Sequence, residues 1–464
     1  MFEGLLSNLQ GTAVFLIVLS VLILVHEWGH FITAKKLGIR VDEFALGFGP
    51  TLFAKHWHGT TYMIKAFPLG GYVKPAGEDR QSAHGKPDEL LSRPVGQRAL
   101  VVVNGPLVNF VLAYVVFIFV FLLGYPGIST RIEEIKPNGP AARAGLKPGD
   151  QIFAVNGQKI HGLMNLNHVL EGRRPDRLRV TVRRGSRLVT KEVQPEIRQE
   201  PDLLGRVRPV RSLGVGLTSN EIGGTAKGSP AEAAGLKKGD RIVAVDTTPI
   251  SHWTALQEAV QKAGEKEIRL TVRRGNDRFE VYVHPELITY KDAQGRVQKR
   301  PVIGVMPVQE KMYYRFNLPE ALGKSMQELS SITTMTYASL YRMVTGALSP
   351  RASMTGPVGI FYVIKGASES GLSDVLFIMG VISASLAIFN LLPIIPLDGG
   401  HLFLLFVEKI RRRPLSEKAE SIVSRVGVGF IILLAVFVFY NDFSRFGIFD
   451  KIRQLGTFLT SLFY

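Results

Sequence analysis

Residues 13–34 read AVFLIVLSVLILVHEWGHFITA, an apolar run long enough to cross a bilayer that nevertheless carries His26, Glu27 and His30. A charged side chain at bilayer depth costs roughly 2.5–3.5 kcal/mol on insertion scales, so such a cluster marks a functional site. The spacing narrows the chemistry. Histidines at i and i+4 project from one helix face, where their ring nitrogens can converge on a metal ion, and the glutamate between them is placed to act as a base on a water there. The competing explanation, a chance HExxH or two histidines hydrogen-bonded in a bundle core, leaves the cost of burial unanswered.

The rest of the composition fits a membrane protein with large soluble parts. The 464 residues are 46% apolar and 20% charged, too polar for a bare transporter bundle and too long for one small domain. The net charge of +17 comes without any nucleic-acid motif, so it is read as membrane topology and a solvated basic face. There is no cysteine, which excludes disulfides, a zinc ribbon and a thiol nucleophile. The N-terminus has no basic region and no A-x-A site, so residues 1–32 are expected to be a retained first span.

Three more segments follow. Residues 99–124 and 422–442 are long and apolar enough to span. Residues 372–407 contain Pro393, Pro396, Gly399 and Gly400, which predicts an interrupted helix, tolerated at membrane depth only where it lines a cavity. Ten Lys and Arg in residues 33–98 and six in residues 408–425, against none in the first ten, put both loops on the cytoplasmic side. Residues 125–371 and the tail 443–464 then lie outside the cytoplasm. The ends bearing HEWGH and NLLPIIPLDGG approach the same cytoplasmic face.

The outer region repeats at 90 residues: GPAARAGLKPGDQIFAVNGQKI (139–160) recurs as SPAEAAGLKKGDRIVAVDTTPI (229–250), and LRVTVRRG (178–185) as IRLTVRRG (268–275). A unit of that length is a domain. Residues 125–200 and 201–290 each resemble the PDZ fold, which binds extended peptides by strand addition. Neither copy has a GLGF-type loop, so peptide capture and a rigid size filter both fit. Residues 291–371 read as a linker with an amphipathic helix near 319–347, lying on the membrane surface or on a PDZ-like copy. The fold expected is a polytopic α-helical membrane protein of about four spans with two inserted α+β domains.

HExxH late in a first span, tandem PDZ-like copies after the second and NLLPIIPLDGG in the third together resemble the site-2 protease family of intramembrane zinc metalloproteases, over essentially the whole chain. The resemblance implies zinc held by His26, His30 and Asp398, with Glu27 catalytic. His401, directly after DGG, is an alternative ligand by residue type alone. Asn390 and Pro393 of the NxxPxxxLDG motif fall where the family holds the substrate backbone. The chain departs from the family pattern at Ile395 and Ser385. Implied partners are the lipid bilayer and single-pass membrane substrates: an anti-sigma factor already trimmed on its periplasmic side, and remnant signal peptides. The implied location is the bacterial inner membrane.

An unwound substrate needs an edge to pair with. TTYMIKAFPLGGYV (60–73), in the cytoplasmic loop 33–98, alternates partially and carries a Gly70-Gly71 turn signal, which predicts a hairpin with Gly70, Gly71 and Tyr72 as substrate contacts. Gly105-Pro106 and Asn109 interrupt the second span and favour close packing near the metal. A non-catalytic PDZ scaffold is the rival reading, disfavoured by the retained Glu27 and Asp398. A transporter is the other rival, disfavoured because the repeat lies in soluble sequence.

Overall fold

The computed structural model describes residues 2–80, 82–170, 176–201, 207–291, 297–449 and 453. The chain forms two compact units, Met1–Tyr125 with Arg315–Tyr464, and Pro126–Tyr314.

The first unit contains helices α1 (Phe2–Lys36), α2 (Val95–Leu123), α3 (Leu318–Val344), α4 (Pro357–Ser370), α5 (Leu372–Asn390), α6 (Asp398–Arg411) and α7 (Glu417–Arg445). Among the described residues, four stretches are long and apolar enough to cross a membrane: Asn8–Lys36 in α1, and the whole of α2, α5 and α7. Helix α2 packs against both α1 and α5. Small residues permit this. A Cβ on Gly29 of α1 would stand 2.5 Å from the Asn104 carbonyl oxygen of α2, and one on Gly380 of α5 would stand 2.7 Å from the Phe117 ring. Close approach of this kind is how helices gain contact where lipid offers no hydrophobic drive.

Helix α4 falls in a region the sequence reading leaves as linker. Its Ile364 shares a buried cluster with Val18 and Leu22 of α1, and its first turn is anchored by α7, where the buried Asp442 carboxylate accepts from the Gly356 and Gly359 N–H groups at 3.0 and 2.9 Å. Helix α3 starts with a capping box, Asn317 accepting from the Glu320 N–H at 2.9 Å and Glu320 reaching back to the Asn317 N–H.

The break between α5 and α6 follows from its residues. Pro393 and Pro396 supply no N–H, and the Ile395–Pro396 peptide is cis. Gly399 and Gly400 let α6 start directly beneath this loop: a Cβ on Gly399 would meet the Leu391 carbonyl at 2.3 Å, and one on Gly400 the Ile395 nitrogen at 2.5 Å. Ile395, one of the two departures noted in the sequence, is buried with its carbonyl against Gly427 of α7.

Strands β1 (Val41–Trp57) and β2 (Thr60–Pro75) pair antiparallel with repeated register shifts. The hairpin turn is His58-Gly59, both at positive φ, which matches the right-handed twist of the strands. The expected turn at Gly70-Gly71 is therefore corrected. Both glycines lie within β2, where Gly70 at φ +128 allows a bend. That bend gives part of β1 two partners: Ala45 is in register with Met63 and also with Tyr72. The stretch 71–75 thus lies on one side of β1 and 61–64 on the other.

In the second unit the 90-residue repeat is structural. Strands Gln151–Val155, Gln158–Lys159, Leu178–Arg184 and Arg187–Val193 form one four-stranded sheet, and Arg241–Val245, Thr248–Pro249, Ile268–Arg274 and Asp277–Val283 form its counterpart. Each covers its own apolar core and carries a helix, Leu163–Leu170 or Trp253–Ala263. The first core also takes in Leu213, with Val215 and Leu217 packed on it, so the chain returns to the first copy after the expected boundary at residue 200. An ion pair between a buried aspartate and a partly exposed arginine recurs at the same offset. Arg184 donates twice to Asp150, both at 2.7 Å, and Arg274 twice to Asp240, at 2.7 and 2.9 Å. The Arg184 guanidinium holds the Asp150 carboxyl below its usual range; for Asp240, burial opposes the shift, but Arg274 and the Lys237 N–H prevail and it too is lowered.

Candidate metal centre

The site is assembled from four helices and one strand. His26 and His30 lie one turn apart on α1 with their Nε2 atoms 3.2 Å apart. Asp398, in the first turn of α6, places Oδ2 3.2 Å from His26 Nε2 and Oδ1 3.6 Å from His30 Nε2. Among the described residues, these are the side chains whose ligand atoms cluster closely enough to hold a metal ion. The separations suit zinc. Ligands about 2.0–2.2 Å from a tetrahedral ion stand about 3.3–3.5 Å from one another. The tautomer of His30 also suits it: Nδ1 is 2.9 Å from the Val101 carbonyl of α2, which can only accept, so Nδ1 carries the proton and Nε2 turns its lone pair to the centre.

Glu27 lies beside this trio against β2. A Cβ on Gly71 would touch its Cγ at 3.4 Å. His26, Glu27, His30, Asn390 and Asp398 all line one cavity of about 660 Å³, with Val73, Glu78, Pro396 and His401 on its wall. Burial raises the Glu78 carboxyl above its usual range, helped by Asp79 and opposed by Lys74. Farther along the wall, Arg98 of α2 and Glu408 of α6 form a two-pronged pair at 2.5 and 3.2 Å. His401 lines the cavity but stands outside the cluster.

Other expected contacts are placed elsewhere. Pro393 is exposed and does not line the cavity; its neighbour Pro396 does. Gly70 faces the Phe48 ring. Tyr72 points away, its hydroxyl donating to Glu43 at 2.6 Å and accepting from Lys65 at 3.0 Å, as the alternation of a strand requires once Val73 faces the site. Of the three hairpin residues, Gly71 is the one against Glu27.

Sequence reasoning missed most of the support. Asn104 of α2 donates to the Gly29 carbonyl at 3.0 Å and to Thr33 Oγ1 at 2.6 Å, clamping the backbone between the histidines. Ser383 of α5 donates to the Asn109 carbonyl at 2.8 Å. The available signal was two asparagines in an otherwise apolar span.

The chain belongs to Peptidase family M50, whose sequence pattern matches residues 14–434, and it is a membrane metalloendopeptidase of the site-2 type. It is similar to the regulator of sigma-E protease RseP of Salmonella typhimurium (strain 14028s / SGSC 2262), 32% identical over 95% of this chain and all of the relative. The RseP of Escherichia coli (strain K12) is also 32% identical over 95% of this chain and all of its own length. A putative zinc metalloprotease of Pasteurella multocida (strain Pm70) is 33% identical over the same shares.

Proposed function

We propose that the chain is a zinc-dependent intramembrane endopeptidase that cuts the membrane-spanning segments of single-pass proteins, with His26, His30 and Asp398 as ligands and Glu27 as general base. The observation that carries this is the convergence of the three donors beside Glu27, in a cavity that also holds Asn390. Zinc bound there supplies Lewis acidity, which polarises a scissile carbonyl and acidifies a water near neutral pH. Glu27 accepts the proton of the attacking water and passes it to the leaving amine. Asn390, at the end of α5, offers one amide donor and one acceptor to an unwound substrate strand. The stretch 71–75 of β2, adjacent to Glu27, supplies an edge for that strand.

The remaining assignments rest on sequence pattern and on the relatives. The repeats in the second unit are read as PDZ-like domains outside the cytoplasm that restrict access and take no part in chemistry. The enzyme is placed in the inner membrane with its centre toward the cytoplasmic side, from the basic loops. The relatives named as regulators of sigma-E point to a membrane anti-sigma factor, trimmed beforehand, as one substrate class, and remnant signal peptides form a second. The test is metal content together with cleavage of a model transmembrane substrate. Purified protein should hold about one zinc, and Glu27→Gln should retain it while losing turnover. Normal turnover by Glu27→Gln would reject the mechanism.

A further inference from the structure

The second ring nitrogen of His26 faces a residue that the sequence reading ties only to close helix packing and to which the proposed mechanism gives no role. Asn109, on α2, is fully buried, and its side-chain amide stands 3.4 Å from His26 Nδ1. The residue is held from behind, because its carbonyl accepts the Ser383 hydroxyl of α5 at 2.8 Å. Among the described residues, Asn109 Oδ1 has no hydrogen-bond partner. A buried amide with one weak contact and an orphaned oxygen, aimed at a histidine of the candidate centre, needs a reason.

The reason lies in the two orientations open to an amide, whose oxygen and nitrogen ends have nearly the same shape. With Nδ2 toward the ring, the amide donates to Nδ1. The ring proton then sits on Nε2, pointing at His30 Nε2 and Asp398, and His26 cannot bind a metal through that atom. With Oδ1 toward the ring, the amide accepts from Nδ1–H and leaves the Nε2 lone pair directed at the centre. The same turn gives the orphaned oxygen a donor. On the opposite histidine the Val101 carbonyl does the same service for His30 Nδ1, so one helix, α2, contacts the outer nitrogen of both rings.

We propose that Asn109 is a positioning residue whose side-chain oxygen fixes the metal-binding tautomer of His26, acting with the Val101 carbonyl to prepare both histidines from α2. This rests on the reading of His26 and His30 as zinc ligands. A metal-bound histidine whose other nitrogen is anchored in this way loses about 10–100-fold in metal affinity when the anchor is removed.

The test uses the full chain in detergent, stripped of metal and titrated with zinc against a competing chelator. Asn109→Leu keeps the branched shape but has no acceptor, and should weaken zinc binding about 10–100-fold. Asn109→Asp retains an oxygen acceptor and should stay within a few-fold of the unaltered protein. A purely structural role predicts that zinc affinity falls only in step with the melting temperature of the metal-free chain, which is measured in parallel. Zinc binding by Asn109→Leu as tight as in the unaltered chain, or loss in Asn109→Asp as deep as in Asn109→Leu, overturns the proposal while leaving the ligand reading intact. Absence of zinc uptake by the unaltered protein overturns both. A second measurement needs no variant. In zinc-loaded protein labelled with nitrogen-15 histidine and carbon-13 asparagine, the His26 Nδ1 should be protonated and close in space to the Asn109 side-chain carbonyl carbon, and a deprotonated Nδ1 overturns the assignment.

Discussion

Gly105 of α2 lies directly against the His30 imidazole of α1: a Cβ on Gly105 would stand 2.2 Å from His30 Nε2 and 2.4 Å from Cε1. The absence of a side chain at one position thus sets the room available to a candidate ligand 75 residues away. Gly105→Ala must push the ring or separate the helices. It should lower zinc affinity at least about tenfold, in the range seen when support behind a ligand is lost. Gly366→Ala, in α4, meets nothing within 4 Å and serves as the control. Equal zinc affinity in the two variants would show that the close approach has no bearing on the centre.

Asp398 and Asn390 flank the break between α5 and α6 and should separate metal binding from substrate capture. Asp398→Ala removes the one carboxylate in the cluster and should lose zinc together with activity. Asn390→Ala removes an amide that lines the cavity outside the cluster, and should keep zinc while losing crosslinks to substrate in a Glu27→Gln background. Full zinc retention in Asp398→Ala would remove it from the ligand set; undiminished crosslinking in Asn390→Ala would remove the clamp.

Asp442 should matter for stability without touching the metal. Its buried carboxylate satisfies two N–H groups at the start of α4, and Asp442→Ala strands both. The expected cost is about 2 kcal/mol or more, since each unpaired buried donor costs about 1–3 kcal/mol. A thermal melt of the purified chain with zinc content measured in parallel checks this. An unchanged melting temperature would mean that water or lipid replaces the carboxylate.

Acid should loosen the repeats only below the pH at which carboxylates of ordinary acidity elsewhere have taken up their protons. Asp150 and Asp240 have folded pKa values below their unfolded ones, so their ion pairs contribute stability that is complete above the unfolded pKa of about 3.9 and is lost as pH falls through the lowered folded values. Protection factors of 126–314 in the full chain, which remove the intrinsic pH dependence of amide exchange, should fall over that acid window and stay flat from pH 5 to 8. Asp150→Asn and Asp240→Asn together should show faster exchange at neutral pH and a shallower acid response. A double variant with the parental pH profile would refute the linkage.

The sequence alone determined the parts of this protein that are local or repeated. HEWGH fixes two histidines and a glutamate on one turn of helix, because helical spacing is a property of neighbouring residues. The prolines and glycines of 393–400 fix a break, because they remove N–H groups and side chains wherever they stand. The 90-residue period fixes two similar domains, down to the Asp–Arg pair at 150/184 and 240/274. Asp398 was legible through the family motif, since nothing in its own spacing ties it to residues 26–30. Tertiary structure decided what crosses between elements. It put the hairpin turn at His58-Gly59 rather than Gly70-Gly71, and it turned Tyr72 away from the site and Val73 toward it. It also brought Val101, Asn104, Gly105 and Asn109 behind the histidines. Those contacts join positions 71 to 83 residues apart, and the rotation of α2 about its axis sets which of its side chains meet α1. Apart from Asn104 and Asn109 the span is apolar on every side, and two asparagines make no stripe that records the rotation, so it becomes visible only when the helices are packed.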